Sequence, residues 1–224
     1  MSNLDAVILA GGRSERLQGI VPRYHKPFLV INGKSLLVSA VDAALVAGAR
    51  KIVVVATGEN AMPVFQLVGH YPQVRVVLAG GGPGRALRAG LEMCDERRVL
   101  VLMSDNVHAE TDVQRVCAET YAIGVRLVRK VEAQRFTRLI DDHWVEGASE
   151  RDGHLSPDAV MTVWCGPLVI HRQRGLDVLF GHEKIGPLLG ALAPTFTLVP
   201  VRTVDVGLPS VVTALTSPRR DNDR

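Results

Sequence analysis

The chain lacks the features that mark membrane, secreted and zinc-binding proteins. No run of about 18 apolar residues is present, and the N-terminus has neither the basic start nor the apolar core of a signal peptide. The three cysteines, Cys94, Cys117 and Cys165, lie far apart and form no Cys-x-x-Cys pair, which argues against a disulfide framework and a zinc site. We therefore expect a cytoplasmic protein with reduced, buried thiols.

Strong charge and the common nucleotide fingerprints are also missing. The net charge is +3, and the basic residues are scattered, so the composition does not indicate nucleic acid binding. Residues 33–35 resemble the end of a Walker A loop, but Phe28 stands where that loop needs glycine. The glycines at 80–84 are followed by Arg85 and do not complete a dinucleotide fingerprint, which disfavours an NAD-dependent oxidoreductase.

What the chain does have is a regular alternation of strand-like and helix-like segments over 224 residues, 47% of them hydrophobic. Apolar runs at 6–9, 52–56, 74–78 and 99–103 predict buried strands, and the segments between them predict helices. This order is typical of an α/β fold with a mainly parallel sheet and right-handed crossovers. From residue 124 the hydrophobic period becomes two, which predicts a small antiparallel region.

One stretch carries the strongest functional signal. The strand at 6–9 ends at Gly11-Gly12, and two cations, Arg16 and Lys26, follow. Glycines permit unusual backbone dihedrals and let a ligand approach backbone N–H groups closely. Such donors with an arginine and a lysine in reach suit a polyphosphate, whose charge is spread over many oxygens.

The run Leu-Ala-Gly-Gly-x-x-x-Arg-Leu, with Lys-Pro ten positions after the arginine, resembles the signature of the sugar-1-phosphate nucleotidylyltransferases, or NDP-sugar pyrophosphorylases. The resemblance implies a Rossmann-like three-layer α/β sandwich and a Mg²⁺-dependent enzyme that couples an NTP to a sugar 1-phosphate and releases pyrophosphate. It assigns catalysis to Arg16 and Lys26. It assigns nucleotide binding to Leu9, Ala10, Gly11, Gly12, Ala79, Gly84 and Asp105.

The resemblance also implies a magnesium site and an acceptor site. Asp105 directly follows the most apolar strand, where open α/β sheets bind ligands, and Asp205 lies in a Val-Asp-Val-Gly-x-Pro turn. Both match the family's Mg²⁺ ligands, so we expect them to meet in space. The acceptor-binding residues implied are Asn106, Glu146 and Gly166.

Three departures from the family pattern leave alternatives open. Ser14-Glu15 replace Gly-Thr, Ala79 stands where a base-reading glutamine is usual, and Gly147 replaces a lysine. The acceptor is then a sugar 1-phosphate or, since molybdopterin nucleotidylyltransferases also carry a serine at position 14, molybdopterin or a polyol phosphate. A non-catalytic nucleotide-binding regulatory module is a further alternative. The nucleobase and the oligomeric state are not specified, although a homo-oligomer is possible.

We expect one domain over residues 1–216, with a nucleotide half at about 1–123 and an acceptor half at about 124–216. Residues 217–224 resemble a disordered tail, and 146–157 a loop beside the site. The basic residues at 126, 129, 130, 135 and 138 are expected to form a solvated face rather than a site for an anionic acceptor. No nucleic acid or membrane partner is expected.

Overall fold

The strand that precedes the glycine pair lies at the centre of the molecule. In the computed structural model, β1 (Leu4–Leu9) is buried along its whole length, as expected of a strand covered on both faces. It pairs in parallel with β4 (Ile52–Ala56) and with β6 (Arg98–Met103). The structure describes residues 3–17, 19–22, 25–133, 136–140, 143–145, 156, 158–192, 195–206 and 209–216.

The other elements follow the predicted alternation. The remaining strands are β2 (Val30–Ile31), β3 (Lys34–Ser35), β5 (Val74–Leu78), β7 (Asn106–Val107), β8 (Ala122–Arg129), β9 (Arg138–Ile140), β10 (His143–Val145), β11 (Val160–His171), β12 (Thr197–Pro200) and β13 (Val204–Asp205). The helices are α1 (Leu36–Val46), α2 (Ala61–Val68), α3 (Pro83–Glu92), α4 (Glu110–Ala118), α5 (Lys130–Ala133), α6 (Arg172–Val178), α7 (Gly186–Leu192) and α8 (Pro209–Thr216).

Nine strands of the described chain form one sheet in the order β10-β9-β11-β6-β1-β4-β5, with β8 also paired to β11 and β12 paired to β8. Strands β5, β4, β1 and β6 are parallel, and Leu9 is in register with Met103. The carboxyl ends of β1 and β6 therefore lie side by side. Strand β11 is antiparallel to β6, β8 and β9, so the predicted mixed sheet with an antiparallel substrate-side region is confirmed.

Alternate residues of β1 pack into two different cores. Ala6 and Ile8 contact the layer that contains α1, α2 and α4, whereas Val7 and Leu9 contact the layer of α3 and α7. This alternation follows from the period of two in a strand. It produces the three-layer α/β/α arrangement expected of a Rossmann-like fold.

Local signals set the first crossover helix. Ser35 caps α1 through its hydroxyl, which accepts the backbone N–H of Val38 at 3.2 Å, and Gly48 follows the helix with φ at 83°. The apolar run at 28–31 predicts a strand, but residues 26–28 form a 3₁₀ turn with Pro27 in its first positions, and β2 contains only Val30–Ile31.

The sequence around Gly166 predicts two separate strands, at 160–163 and 166–170. Strand β11 instead runs without interruption for 12 residues, because a bulge between Trp164 and Leu168 and a φ of 140° at Gly166 absorb the irregularity. The sequence does not predict α6. It predicts a helix over 183–192, whereas α7 begins at Gly186.

The expected solvated basic face is wrong at two positions. Arg138 is fully buried between its neighbours on β10 and β11. Arg126 is partly buried and donates from Nη1 to the carbonyl oxygen of Thr203 at 3.0 Å. These two side chains therefore form part of the interior of the predicted acceptor half. The alternation of residues along a strand does not by itself reveal that an arginine is buried.

None of the three cysteines forms a disulfide, and Cys94 and Cys165 are buried as expected, whereas Cys117 is partly buried. Burial raises the pKa of the Cys94 thiol to about 12 and that of Cys117 to about 11, so both thiols are poor nucleophiles. None of the described helices combines the length and apolar character needed to cross a membrane.

Candidate active site

The loop after β1 is held by its neighbours at the carboxyl edge of the sheet. Ala10 donates its N–H to Val55 and accepts a hydrogen bond of 2.7 Å from the side-chain amide of Asn60. A side chain at Gly11 would meet Thr57, whose Cγ2 lies 2.9 Å from the place of a Cβ. Leu9 and Ala10 are buried, so we expect them to contribute main-chain groups to any ligand.

The unusual backbone conformation in this loop is at Ser14, not at the glycines. Neither Gly11 nor Gly12 has a left-handed φ, whereas Ser14 has φ at 57°. The hydroxyl of Ser14 accepts the backbone N–H of Lys26 at 3.2 Å, which ties the loop to the lysine. Glu15 is exposed and pairs with Arg13 at 3.6 Å. Its carboxylate therefore has a partner at the surface.

Lys26, Asp105 and Asp205 meet in one cluster. The ammonium Nζ of Lys26 lies 2.5 Å from Oδ2 of Asp105 and 3.5 Å from Oδ1 of Asp205. Because both distances share one nitrogen, the two carboxylate oxygens are at most about 6 Å apart, the sum of 2.5 and 3.5 Å. Lys26 is 4% exposed and Asp205 8%, so the contact is largely shielded from water.

Two short strands bring the aspartates together across a hundred positions. Strand β7, directly after Asp105, pairs antiparallel with β13, and Asp205 is in register with Asn106. Val206 also donates its N–H to the carbonyl oxygen of Asp105 at 3.0 Å. A small apolar cluster then joins these strands to the first loop and to α8; its buried members are Leu17, Val21, Ile31, Leu36, Val206 and Val212.

A cavity of about 150 Å³ opens beside the aspartates, and Asn106 and Gly166, two of the residues predicted for the acceptor side, line it. Its lining includes Met103, Asp105, Asn106, Phe136, Thr137, Trp164, Cys165, Gly166 and Asp205. At Gly166 a Cβ would lie 2.8 Å from Oγ1 of Thr203, so only glycine fits this wall of the cavity. The indole N–H of Trp164 donates to the carbonyl oxygen of Gly166 at 3.2 Å and leaves the ring as an apolar wall.

The predicted base loop lies at the neighbouring strand end. Ala79 continues β5 and donates its N–H to Ala56 at 2.9 Å. Gly84, however, donates its N–H to Glu183 at 2.7 Å, and a Cβ there would lie 2.6 Å from the carbonyl oxygen of Lys184. Packing against residues 182–184 therefore requires a glycine at position 84, independently of nucleotide binding.

Two predicted site side chains lie outside the described part of the structure. The backbone of Arg16 is in the 3₁₀ turn Glu15–Leu17, but its side chain is outside the described residues. Glu146 is outside them as well, together with Gly147 and the tail at 217–224. Their roles stay predictions from the sequence.

The comparisons with known proteins agree with this geometry. The family model of the MobA-like NTP transferase domain matches residues 6–184, which is most of the chain. The chain belongs to the MobA-like NTP transferase domain family. The match covers the Gly11-Gly12 loop, Lys26 and Asp105. It ends before Asp205, so the place of Asp205 in the cluster rests on the structure.

The fold of this NTP transferase domain is also found among solved structures. It is similar to a UDP-glucose pyrophosphorylase complexed with UDP-glucose, with a TM-score of 0.73 at 14% identity over 94% of this chain and 96% of that one. At this identity the likeness shows the fold, and a fold by itself does not select a substrate. A search of curated proteins gives no significant match.

Sequence reasoning missed two residues of the site. Asn60 is buried, and besides holding Ala10 it accepts the N–H of Thr57 at 3.0 Å through Oδ1. Its position after β4, at the same sheet edge as the glycine pair, is the signal that identifies it. His108 follows β7, and its Nε2 lies 3.2 Å from the carbonyl oxygen of Met103.

His108 is held neutral by its surroundings. Burial lowers its pKa to about 4, against the opposing effects of the Met103 hydrogen bond and the Asp105 charge. The contact with a carbonyl oxygen requires a proton on Nε2. Nδ1 is buried and has no hydrogen-bond partner in the described part of the chain, which fits the neutral tautomer.

Proposed function

We propose that this NTP transferase domain is an active nucleotidylyltransferase that joins the nucleoside monophosphate of an NTP to a sugar 1-phosphate and releases pyrophosphate. The observation that carries the proposal is the cluster of Lys26, Asp105 and Asp205 at the carboxyl ends of β1 and β6. Two carboxylates from distant segments converge on one cation there, next to a glycine loop and a cavity.

The donor set fits a divalent metal ion. Among the described residues, no group of three or more His, Cys, Asp and Glu side chains could hold a metal. Two carboxylates that already share one cation are, however, what Mg²⁺ needs when phosphates and waters fill its other positions. Mg²⁺ bound to Asp105 and Asp205 would neutralise phosphate charge and orient the triphosphate.

The protein's own groups would then act by position and charge. An oxygen of the acceptor phosphate attacks the α-phosphorus, a new P–O bond forms, and the bond to the bridging oxygen of the β-phosphate breaks. Arg16 would stabilise the charge that moves onto the leaving pyrophosphate, and Lys26 would contact the α-phosphate and the incoming phosphate. The N–H groups around Gly11 and Gly12 would hold the nucleotide.

The acceptor would lie in the cavity beside Gly166 and Asn106. The ring of Trp164 offers an apolar wall of the kind that the face of a sugar ring contacts, and Asn106 and Thr137 offer polar groups. The family match, whose description is MobA-like, favours a second candidate, an enzyme that uses a molybdopterin or a polyol phosphate.

A matrix of substrates tests the proposal. Each common NTP and dNTP is combined with several sugar 1-phosphates, a polyol phosphate and molybdopterin in the presence of Mg²⁺, and pyrophosphate release is measured. We expect release with one nucleotide and one sugar 1-phosphate well above the rest. Release only with the polyol phosphate or molybdopterin would select the second candidate.

Binding of an NTP without pyrophosphate release from any pair would favour the remaining alternative, a non-catalytic regulatory module. The departures at Ala79 and Gly147 are the features that such a module would explain. Glu15 no longer supports it, since its carboxylate is exposed and paired with Arg13.

A further inference from the structure

The ammonium of Lys26 stands between the two carboxylates assigned to a metal ion. Its Nζ is 2.5 Å from Asp105 and 3.5 Å from Asp205, and its side chain is 6% exposed. A buried lysine is stable only when its charge is paired. In this arrangement Lys26 is the counter-ion of both aspartates, and its ammonium is not available as a hydrogen-bond donor to phosphate.

The backbone of Lys26 is held in place, whereas its side chain is intrinsically flexible. Ser14 holds the N–H of Lys26 at 3.2 Å, and Pro27 follows in the 3₁₀ turn. A lysine carries its charge on a flexible four-carbon stem. Rotation about the bonds of this stem can redirect the ammonium without a change in the loop that presents it.

A divalent ion and the ammonium compete for the same place. Mg²⁺ binds carboxylate oxygens at about 2.1 Å, and Nζ already lies 2.5 Å from Oδ2 of Asp105 and 3.5 Å from Oδ1 of Asp205. Two aspartates and one lysine carry a net charge of −1, and a divalent ion added beside the ammonium would reverse that sign in a buried site. The metal is thus expected to expel the ammonium from the pair.

We propose that Lys26 is a counter-ion switch: it occupies the metal position between Asp105 and Asp205 until a divalent ion displaces its ammonium onto the phosphates of the NTP. The inference rests on the metal site of the proposed function. Without nucleotide, metal binding leaves the ammonium with no partner and is weak. With nucleotide, the phosphates receive it, so metal and NTP strengthen each other's binding.

Metal binding without substrate tests the switch. Mn²⁺ alone, a spectroscopic substitute for Mg²⁺, is titrated into the parent protein, Lys26→Met and the control Lys34→Met, and bound Mn²⁺ is measured by electron paramagnetic resonance. Lys34→Met is the same substitution at a lysine away from the site, which is paired with Asp42 at 2.6 Å near the surface. Lys26→Met should bind Mn²⁺ alone at least about fivefold tighter than the parent, and Lys34→Met should not.

Unchanged or weaker Mn²⁺ binding by a folded Lys26→Met protein would overturn the switch. If loss of the counter-ion unfolds Lys26→Met, Mn²⁺ should restore its thermal transition, and failure to do so would also overturn the proposal. A third measurement, by NMR, uses the parent protein. Its Lys26 ¹⁵Nζ resonance, assigned by its absence in Lys26→Arg, should shift on addition of Mg²⁺ alone, and an unmoved resonance would contradict displacement.

The same titrations separate this inference from the metal site on which it rests. Asp105→Asn and Asp205→Asn should each lose Mn²⁺ binding in the presence of an α,β-methylene NTP. If they retain it, the metal site itself is wrong. If they lose it but Lys26→Met does not bind Mn²⁺ alone more tightly, the metal site stands and the switch fails.

Discussion

Gly12 is the residue at which nucleotide binding can be tested without disturbing the fold. A Cβ at Gly12 has no neighbour within 4 Å, and its φ is not in the left-handed region. Gly12→Val should therefore fold normally but place a side chain where the phosphates are expected. We expect it to lose the rise in melting temperature that NTP and Mg²⁺ give the parent, as measured by thermal shift.

Gly190→Val is the matched control, because a Cβ there also meets nothing within 4 Å and the site is remote in α7. It should keep the full rise in melting temperature on addition of NTP and Mg²⁺. A Gly12→Val protein that keeps the shift would exclude the loop from nucleotide binding. Gly84→Val is not a useful substitute, since the new side chain would clash with the backbone at 182–184.

His108 gives the fold a defined pH dependence. Its pKa is lowered to about 4 in the folded protein, whereas the unfolded chain has the ordinary value of about 6.5. Between these values the unfolded state binds a proton that the folded state refuses, so the free energy of unfolding falls as the pH falls from about 6.5 to 4. The loss is on the order of 3 kcal/mol.

Urea denaturation of the parent and of His108→Gln at pH 7, 6, 5 and 4 measures this contribution. The variant lacks the titrating ring and should lose less stability than the parent over this range. Parallel curves for the two proteins would show that His108 does not titrate as described.

The cluster shows what single residues in a sequence do and do not reveal. Asp105 was predicted because it follows the most apolar strand, and its meeting with Asp205 was predicted from a turn motif. The pairing of Lys26 with both was not, because contacts across 79 and 179 positions leave no local pattern. The interpretation of Gly11 and Gly12 as sites of unusual dihedrals was wrong, since sequence alone cannot separate close approach from backbone strain.

At the level of elements, α4 positions the strand that carries Asp205. Asp112 of α4 is buried and accepts the N–H of Arg202 at 2.6 Å, three residues before Asp205. Asp112→Ala removes that acceptor, which should cost about 1 to 3 kcal/mol. It should also lower turnover at least about tenfold, because a small displacement of a positioned group is expensive in catalysis.

Urea denaturation and pyrophosphate release measure these two effects. Asp95→Ala is the control, since Asp95 is an exposed carboxylate paired with Lys51 and far from the cluster. It should match the parent in both assays. Full activity in Asp112→Ala would mean that β13 is held by β7 alone.

The sequence predicts an element correctly where its local signals are clear: apolar runs for β1, β4 and β6, and the cap for α1. The prediction from sequence fails where pairing with distant strands determines the structure. The segment 160–171 contains Gly166 and Pro167, which locally indicate a break, yet pairing with β6, β8 and β9 keeps it one strand. Helix α6 has only seven residues, too short for a clear period.

At the scale of the whole molecule, we infer that residues 1–216 unfold as one unit. Both large cores mix residues from before and after position 124; Leu100 and Leu102 share one core with Val169, Val199 and Val201. Calorimetry should give a single transition whose calorimetric and van't Hoff enthalpies agree. Two separable transitions would show that the nucleotide and acceptor halves are independent domains.

The account depends most on a single ion held by Asp105 and Asp205. Pyrophosphate release is measured against Mg²⁺ concentration for Asp105→Asn, Asp205→Asn, the double variant and the control Asp42→Asn, with the substrate pair that the matrix identifies. Each single variant should lose nearly all turnover while the control retains it. The double variant should be little worse than either single one, because both carboxylates serve one ion. Turnover within threefold of the parent in either single variant, or multiplicative losses in the double variant, would contradict the shared site.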